Sequence, residues 1–155
     1  PVLHEGAPIS STRIREALAR GAVDAAWAML GRPFFVEGLV VAGAGRGRTL
    51  GVRTANLRVA NETIPRAGVY AGRCLVPGGR TASAVVNVGS RPTFGGGPTT
   101  VEAHLLDFDA DLYGESLRLL FHARLREERA FPSAPALVAQ IESDIAEARR
   151  VLENR

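Results

Sequence analysis

Residues 117–126 read Leu-Arg-Leu-Leu-Phe-His-Ala-Arg-Leu-Arg, so that Leu117, Leu119, Phe121, Ala123 and Leu125 alternate with Arg118, His122, Arg124 and Arg126. A period of two is that of a strand, whose successive side chains point to opposite faces, and the spacing predicts a strand with one buried and one polar face. Working outward, residues 34–42, 69–76, 82–88 and 100–106 are likewise rich in β-branched or alternating residues and are separated by Gly, Pro, Asn and Asp clusters. They predict further antiparallel strands. Helices flank this block. At the front, Ser10 or Ser11 caps a short helix with Ile14, Ala17 and Leu18 on one face and Gly21 as its stop; Val23, Ala26, Trp27 and Leu30 then mark a second, ended by Gly31 and Pro33. At the back, a helix starts near Ser133 with Pro135 in its first turn, and Leu137, Ile141, Ile145, Ala148 and Leu152 form its apolar stripe. No helix separates successive strands, which favours a Greek-key barrel or a compact α+β domain over a doubly wound parallel sheet.

The 155 residues suffice for one domain with a modest extension, and apolar and charged fractions of 46% and 23% are those of a globular chain. The longest apolar runs, 39–42 and 85–88, are far too short to cross a bilayer, and no signal segment opens the sequence, so a cytoplasmic location without membrane partners is expected. A single cysteine, Cys74, excludes an internal disulfide and a multi-thiolate metal site and reads as a small buried residue. All 19 basic residues are arginine; against 16 acids they leave +3, too little to point to nucleic acid. The absence of lysine excludes the P-loop and protein-kinase modes of holding ATP, and the Gly43, Gly45, Gly47 spacing misses the dinucleotide fingerprint. Because the first residue is Pro1, the chain is expected to be a segment of a longer protein.

Three places can carry chemistry. Gly43, Gly45, Arg46, Gly47, Arg48 and Gly51 combine amides that approach phosphate oxygens with charge that neutralises them, although a plain turn has the same composition. Thr54 and Asn56 offer oxygens to a hard cation such as Mg²⁺, or simply cap a strand end. Glu102 and His104, two apart, share the strand face opposite Val101, Ala103 and Leu105; a carboxylate there, at a barrel mouth, can take a proton from an attacking hydroxyl, while a solvated strand face fits the spacing equally. His104 lacks neighbouring ligands and is not a zinc signal. Residues 89–99, with Gly95, Gly96 and Gly97, read as a mobile flap.

The ordered motifs narrow these alternatives. Residues 43–56, closing in Leu-Gly-Val-Arg-Thr-Ala-Asn, resemble the ATP-binding segment of riboflavin kinases, where Gly-Phe-Pro-Thr-Ala-Asn is usual. Pro-Arg-Ala-Gly-Val-Tyr (65–70), Asn-Val-Gly-Ser-Arg-Pro-Thr-Phe (87–94), Val-Glu-Ala-His-Leu-Leu-Asp-Phe (101–108), Asp-Leu-Tyr-Gly (111–114) and Leu-Arg-Glu-Glu-Arg-Ala-Phe (125–131) are similar to that family's signatures in the same order. Residues 9–15, Ile-Ser-Ser-Thr-Arg-Ile-Arg, resemble the last nucleotide-binding motif of the adenylyltransferase module in bacterial bifunctional FAD synthetases. The resemblance implies a remnant of that module with linker helices at 1–31 and a riboflavin kinase domain at 32–155.

The fold implied by this resemblance is a six-stranded antiparallel Greek-key barrel with a C-terminal helix, mainly β, plus short N-terminal helices. The implied activity is transfer of phosphate from ATP to riboflavin, giving FMN and ADP, with Mg²⁺ as cofactor and no adenylylation of FMN by the fragment alone. By the same resemblance, Thr54 and Asn56 hold the metal with the nucleotide phosphates, the loop from Gly43 to Gly51 binds ATP, and Glu102 is the base. Asp107, Leu112, Tyr113, Arg126 and Phe131 are implied to belong to the flavin side. Val52 and Arg53 depart from the usual Phe-Pro, removing proline's fixed φ and adding a cation beside the phosphates. Two other readings remain: a barrel that binds flavin or nucleotide without turnover, and nucleic-acid binding through the arginine face, which lacks a tight basic cluster with stacking aromatics.

Overall fold

Ser10, in extended conformation, accepts a hydrogen bond from Arg13 N through its side chain at 3.2 Å and starts helix α1 (Ser11–Ala19). Gly21 and Gly31 both adopt φ +76°, the left-handed conformation that ends a helix, and between them lies α2 (Val23–Leu30). The computed structural model describes residues 2–42, 53–89 and 99–154. Ahead of α1 a small hairpin, β1 (Leu3–His4) and β2 (Ala7–Pro8), is tied down by the Arg13 guanidinium, which donates to three of its carbonyls. After α2 come β3 (Phe34–Val41), β4 (Arg53–Val59), β5 (Gly68–Val76), β6 (Arg80–Gly89), β7 (Thr100–Leu105) and β8 (Ser116–Arg126). Helix α3 (Ala134–Glu153) follows, capped by Ser133 with a proline in its first turn.

The six long strands close into a barrel in the order β3-β4-β7-β6-β5-β8, every pair antiparallel. The five strands expected from pattern are all present. The sixth, β4, occupies Arg53–Val59, where the sequence pattern shows only a polar Thr-Ala-Asn run. Its signal, the alternation of Ala55, Leu57 and Val59 with Thr54, Asn56 and Arg58, is weakened by Ala55 and Asn56, types that strands disfavour.

Closure divides each strand between two environments. The inner face carries Val36, Leu57, Tyr70, Val86, Val88, Val101, Leu119 and Phe121, with the Tyr70 and Phe121 rings edge to face at 5.2 Å. Ala17 and Leu18 of α1 and Val23, Ala26 and Met29 of α2 join this core, so the N-terminal helices share the barrel's interior packing. Outside, Val69, Ala71 and Val85 pack against Ala148 and Leu152 of α3. At about 1.5–3 kcal/mol per fully buried aliphatic side chain, this contact is enough to seat the helix. Arg73 of β5 pins its far end by donating to the Leu152 carbonyl at 3.0 Å.

The alternation expected through residues 117–125 holds only in part. Leu117, Leu119 and Phe121 do face inward, but β8 is bulged twice against β5: Gly72 pairs with Phe121 and Ala71 with Ala123, then Tyr70 pairs with Arg124 and Val69 with Arg126. Each extra residue shifts the pleat by one position. Arg124 therefore shares the inward side with Tyr70, while Leu125 packs with the outer cluster and Arg126 pairs beside Val69 on the outer wall.

Two outcomes check this packing. A Cβ on Gly72 would stand 2.1 Å from the Leu120 carbonyl oxygen, so Gly72→Ala should destabilise by about 3 kcal/mol in urea titration. Gly79→Ala, in an open turn at φ +76°, should cost only about 1 kcal/mol. Cys74 is fully buried and its thiol is pushed up to about 12 by burial, so iodoacetamide at pH 8 should alkylate it only after unfolding.

Candidate functional site

The register of the antiparallel pairs assembles the polar residues. Asn56 of β4 lies opposite Glu102 of β7, Glu102 opposite Asn87 of β6, Asn87 opposite Val69 of β5, and Val69 opposite Arg126 of β8. Directly opposed residues in a sheet project to the same side. One row across the wall thus carries an amide, a carboxylate, a second amide and a guanidinium, and the row beside it carries Thr54, His104 and Val85. Both rows are on the outer face, because their neighbours Ala55, Val101, Ala103 and Val86 fill the interior. The acid expected at a barrel mouth therefore stands on the outer wall beneath α3.

Between the wall, α3 and the segment joining β8 to α3 lies a cavity of about 510 Å³, lined on one side by Asn87, Glu102 and His104 and on the other by Phe131, Ser133 and Leu137. Arg126 also lines it and is fixed by α3: its Nε and Nη2 donate to the two carboxylate oxygens of Asp144 at 2.9 and 2.8 Å, and Gln140 Nε2 donates to Asp144 at 2.9 Å. A bidentate pair of this kind sets orientation as well as energy. The guanidinium carbons of Arg126 and Arg129 lie 5.6 and 5.3 Å from the Phe131 ring centroid, giving the cavity an aromatic face edged by positive charge.

Opposite, His104 joins two of the candidate side chains. Its Nδ1 lies 3.2 Å from Thr54 Oγ1 and its Nε2 3.0 Å from Glu102 Oε1. Asn87 Oδ1, buried in the same wall, has no hydrogen-bond partner among the described residues. Buried carbonyl oxygens are normally paired, so this one has acceptor capacity that no described residue uses. No three His, Cys, Asp or Glu side chains converge among the described residues. A hydroxyl, two amides and one carboxylate make a sparse oxygen set, and such a set fits a magnesium ion held chiefly by water and substrate phosphates.

The remaining expected residues fall in different places. Gly43, Gly45, Arg46, Gly47, Arg48 and Gly51, with most of the 89–99 flap, lie outside the described residues. Thr54 and Asn56 stand one strand beyond the cavity lining. Leu112 is buried in the interior core, Tyr113 is exposed, and Asp107 is bound by Arg149 at 2.7 and 3.3 Å, which holds its exposed carboxyl below the usual aspartate range. None of these three is among the described residues that line the cavity. Arg53, expected to add a cation beside the phosphates, lies opposite the inward residue Leu105 and reaches Asp109 at 2.7 Å. Adjacent strand residues face opposite ways, which turns it from Thr54.

No role is expected of Asp144 or of Asn87 individually from the sequence. Asp144 interrupts the α3 stripe, three residues after Ile141 and four before Ala148, and an acid at an apolar position is a legible sign of a buried partner. Asp144→Ala would leave the Arg126 guanidinium desolvated and should cost about 3 kcal/mol of stability, measured by urea denaturation.

Comparison with known proteins agrees with this architecture. Residues 30–152 match the family model described as Flavokinase, riboflavin kinase. The chain is 42% identical over 146 residues to the bifunctional riboflavin kinase/FMN adenylyltransferase of Pseudomonas fluorescens, covering 94% of this chain and 47% of that protein. It is 40% identical over 150 residues to the protein of the same description from Bacillus subtilis, with coverage of 94% and 47%. The chain therefore spans about half the length of the curated relatives it matches. Among solved structures, one described as a macrolide-efflux protein from Streptococcus pneumoniae superposes with TM-score 0.89 at 38% identity, over 96% of this chain and 49% of that one. Riboflavin kinase from Trypanosoma brucei superposes with TM-score 0.56 at 28% identity, covering 78% and 80% of the two chains.

Proposed function

Since the chain belongs to the riboflavin kinase family, we propose that it transfers the γ-phosphoryl group of ATP to the terminal ribityl hydroxyl of riboflavin, giving FMN and ADP. The observation that carries this reading is the single cross-strand row in which Glu102, between Asn56 and Asn87, opens onto the cavity that Arg126 and Phe131 also line. Glu102 accepts the hydroxyl proton while that oxygen forms the new bond to the γ-phosphorus; the bond from phosphorus to the β–γ bridging oxygen breaks, and ADP leaves. Thr54 and Asn56 would hold Mg²⁺ together with the nucleotide phosphates, where the ion supplies charge to offset that developing on the transferred group. The arginines and glycines of residues 43–51 bind the phosphates, and the 89–99 flap excludes water. Phe131, flanked by Arg126 and Arg129, offers a stacking surface for the isoalloxazine ring; Asp107, Leu112 and Tyr113, which do not line this cavity, take no part in that surface.

Residues 32–155 form the kinase unit in this reading, and residues 1–31 derive from an adjoining adenylyltransferase module. The chain makes FMN but not FAD, acts in the cytoplasm where ATP is available, and takes no nucleic acid or membrane as partner. Incubation with riboflavin and MgATP, followed by chromatography, should yield FMN alone; a protein that forms none is not a kinase. Glu102→Gln should lower kcat by about a hundredfold or more with KM for riboflavin little changed, as loss of a positioned base requires. Unchanged turnover would remove Glu102 as the base, and riboflavin binding by the wild-type protein without any turnover would favour a barrel that only binds.

A further inference from the structure

Asn87 has no task in the phosphoryl transfer just described, yet it stands in the middle of the cavity wall. In the row that crosses the sheet it has Glu102 on one side and Val69 on the other, with Arg126 beyond Val69. Thr54 and Asn56 lie on the far side of β7, so a strand separates Asn87 from the residues assigned to the cation. Among the described residues, β5 and β6 otherwise line the cavity only with Val69 and Val85. An amide among valines, in a strand paired on both edges, is a type that strands disfavour. Its Oδ1 is buried with no partner among the described residues, a state that costs stability. We propose that Asn87 is a specificity-determining residue in contact with substrate: its carboxamide pairs with secondary hydroxyls of the ribityl chain and so selects a flavin bearing a polyol over one without. This rests on riboflavin being the occupant of the cavity.

Neighbouring strands lie about 4.8 Å apart, so successive side chains of the row meet successive parts of a ligand laid across them. With the terminal hydroxyl at Glu102 and the ring system against Phe131 and Arg126, the chain joining them passes over β6 and β5. Asn87 is the first side chain it meets after Glu102. The chemistry of the two groups matches. A carboxamide offers an acceptor oxygen and two N–H donors, and each hydroxyl both donates and accepts. Two adjacent hydroxyls therefore pair with the oxygen and the nitrogen of one amide. No described partner holds Oδ1, and rotation about χ2 is soft, so the amide is free to turn its oxygen to the cavity that it lines. Val69, next in the row, presents only methyl groups where the hydroxyls end and the ring begins.

Quenching of flavin fluorescence, titrated in the presence of MgADP, tests this without turnover. Riboflavin is compared with lumiflavin, which has the same ring system and a methyl group in place of the ribityl chain. Asn87→Val, which extends the valine lining, should weaken riboflavin binding about tenfold and leave lumiflavin binding within about twofold. Its urea midpoint should equal or exceed that of the wild type, because an unpaired buried oxygen is removed and strand preference improves. Asn87→Ala, a plain truncation, should show the same split between the two flavins, so the comparison does not depend on how well valine fits. Equal weakening for both flavins would mark the amide as structural and overturn the assignment, as would unchanged affinity for riboflavin. Either result does so whether or not FMN is made. Failure of the wild-type protein to make FMN, with the split between the flavins intact, would instead remove the kinase reading and keep Asn87 as the polyol contact of a barrel that only binds.

Discussion

The hydrogen-bonded register of β7 between β4 and β6 is the constraint on which the site depends. Opposed residues in antiparallel strands are held with Cα atoms about 4.5–5.5 Å apart, close enough for neighbouring side chains to act on one ligand. Here that spacing places Glu102 between two asparagines and His104 beside a threonine. A slip of one residue would turn Glu102 and His104 into the interior and bring Val101 and Ala103 out. Closure of the barrel prevents it, because β7 is fixed on both edges and its inward residues lie in the core.

Helix α3 supplies the second wall. It rests on Val69, Ala71 and Val85, is tied at its far end by Arg73, and grips Arg126 through Asp144. The strand face and the helix thus meet at a guanidinium whose hydrogen bonds are directed by a planar fork, which fixes angle as well as distance. The short segment from Glu127 to Ser133 spans the gap and brings Phe131 over the cavity. The described walls therefore juxtapose a polar face with an aromatic, positively edged one.

Local pattern reveals most of the elements, since caps, glycine stops and alternation are properties of neighbouring residues. Ser10, Gly31 and Ser133 act as their sequence context predicts. Three features are harder to read. The bulges of β8 arise from pairing with β5, which no local window contains, and they reassign Arg124 and Leu125 to the opposite faces. Strand β4 contains Ala55 and Asn56, whose weak strand preference is overridden as Ala55 and Leu57 pack inward. Asn87 sits in a motif legible in the sequence, but its place beside Glu102 depends on which strands are neighbours around the barrel. The same nonlocal geometry puts the acid on the outer wall beneath a helix and not at an open end.

That placement separates two duties along a single strand. In β7, Val101, Ala103 and Leu105 support the fold while Glu102 and His104 face the cavity. Mutational drift on the ligand side can accordingly explore new specificities with little disturbance to the interior, and changes of interior volume reach the chemistry only through shifts of the backbone. A scaffold partitioned by odd and even positions is one in which durability and novelty can be selected almost independently.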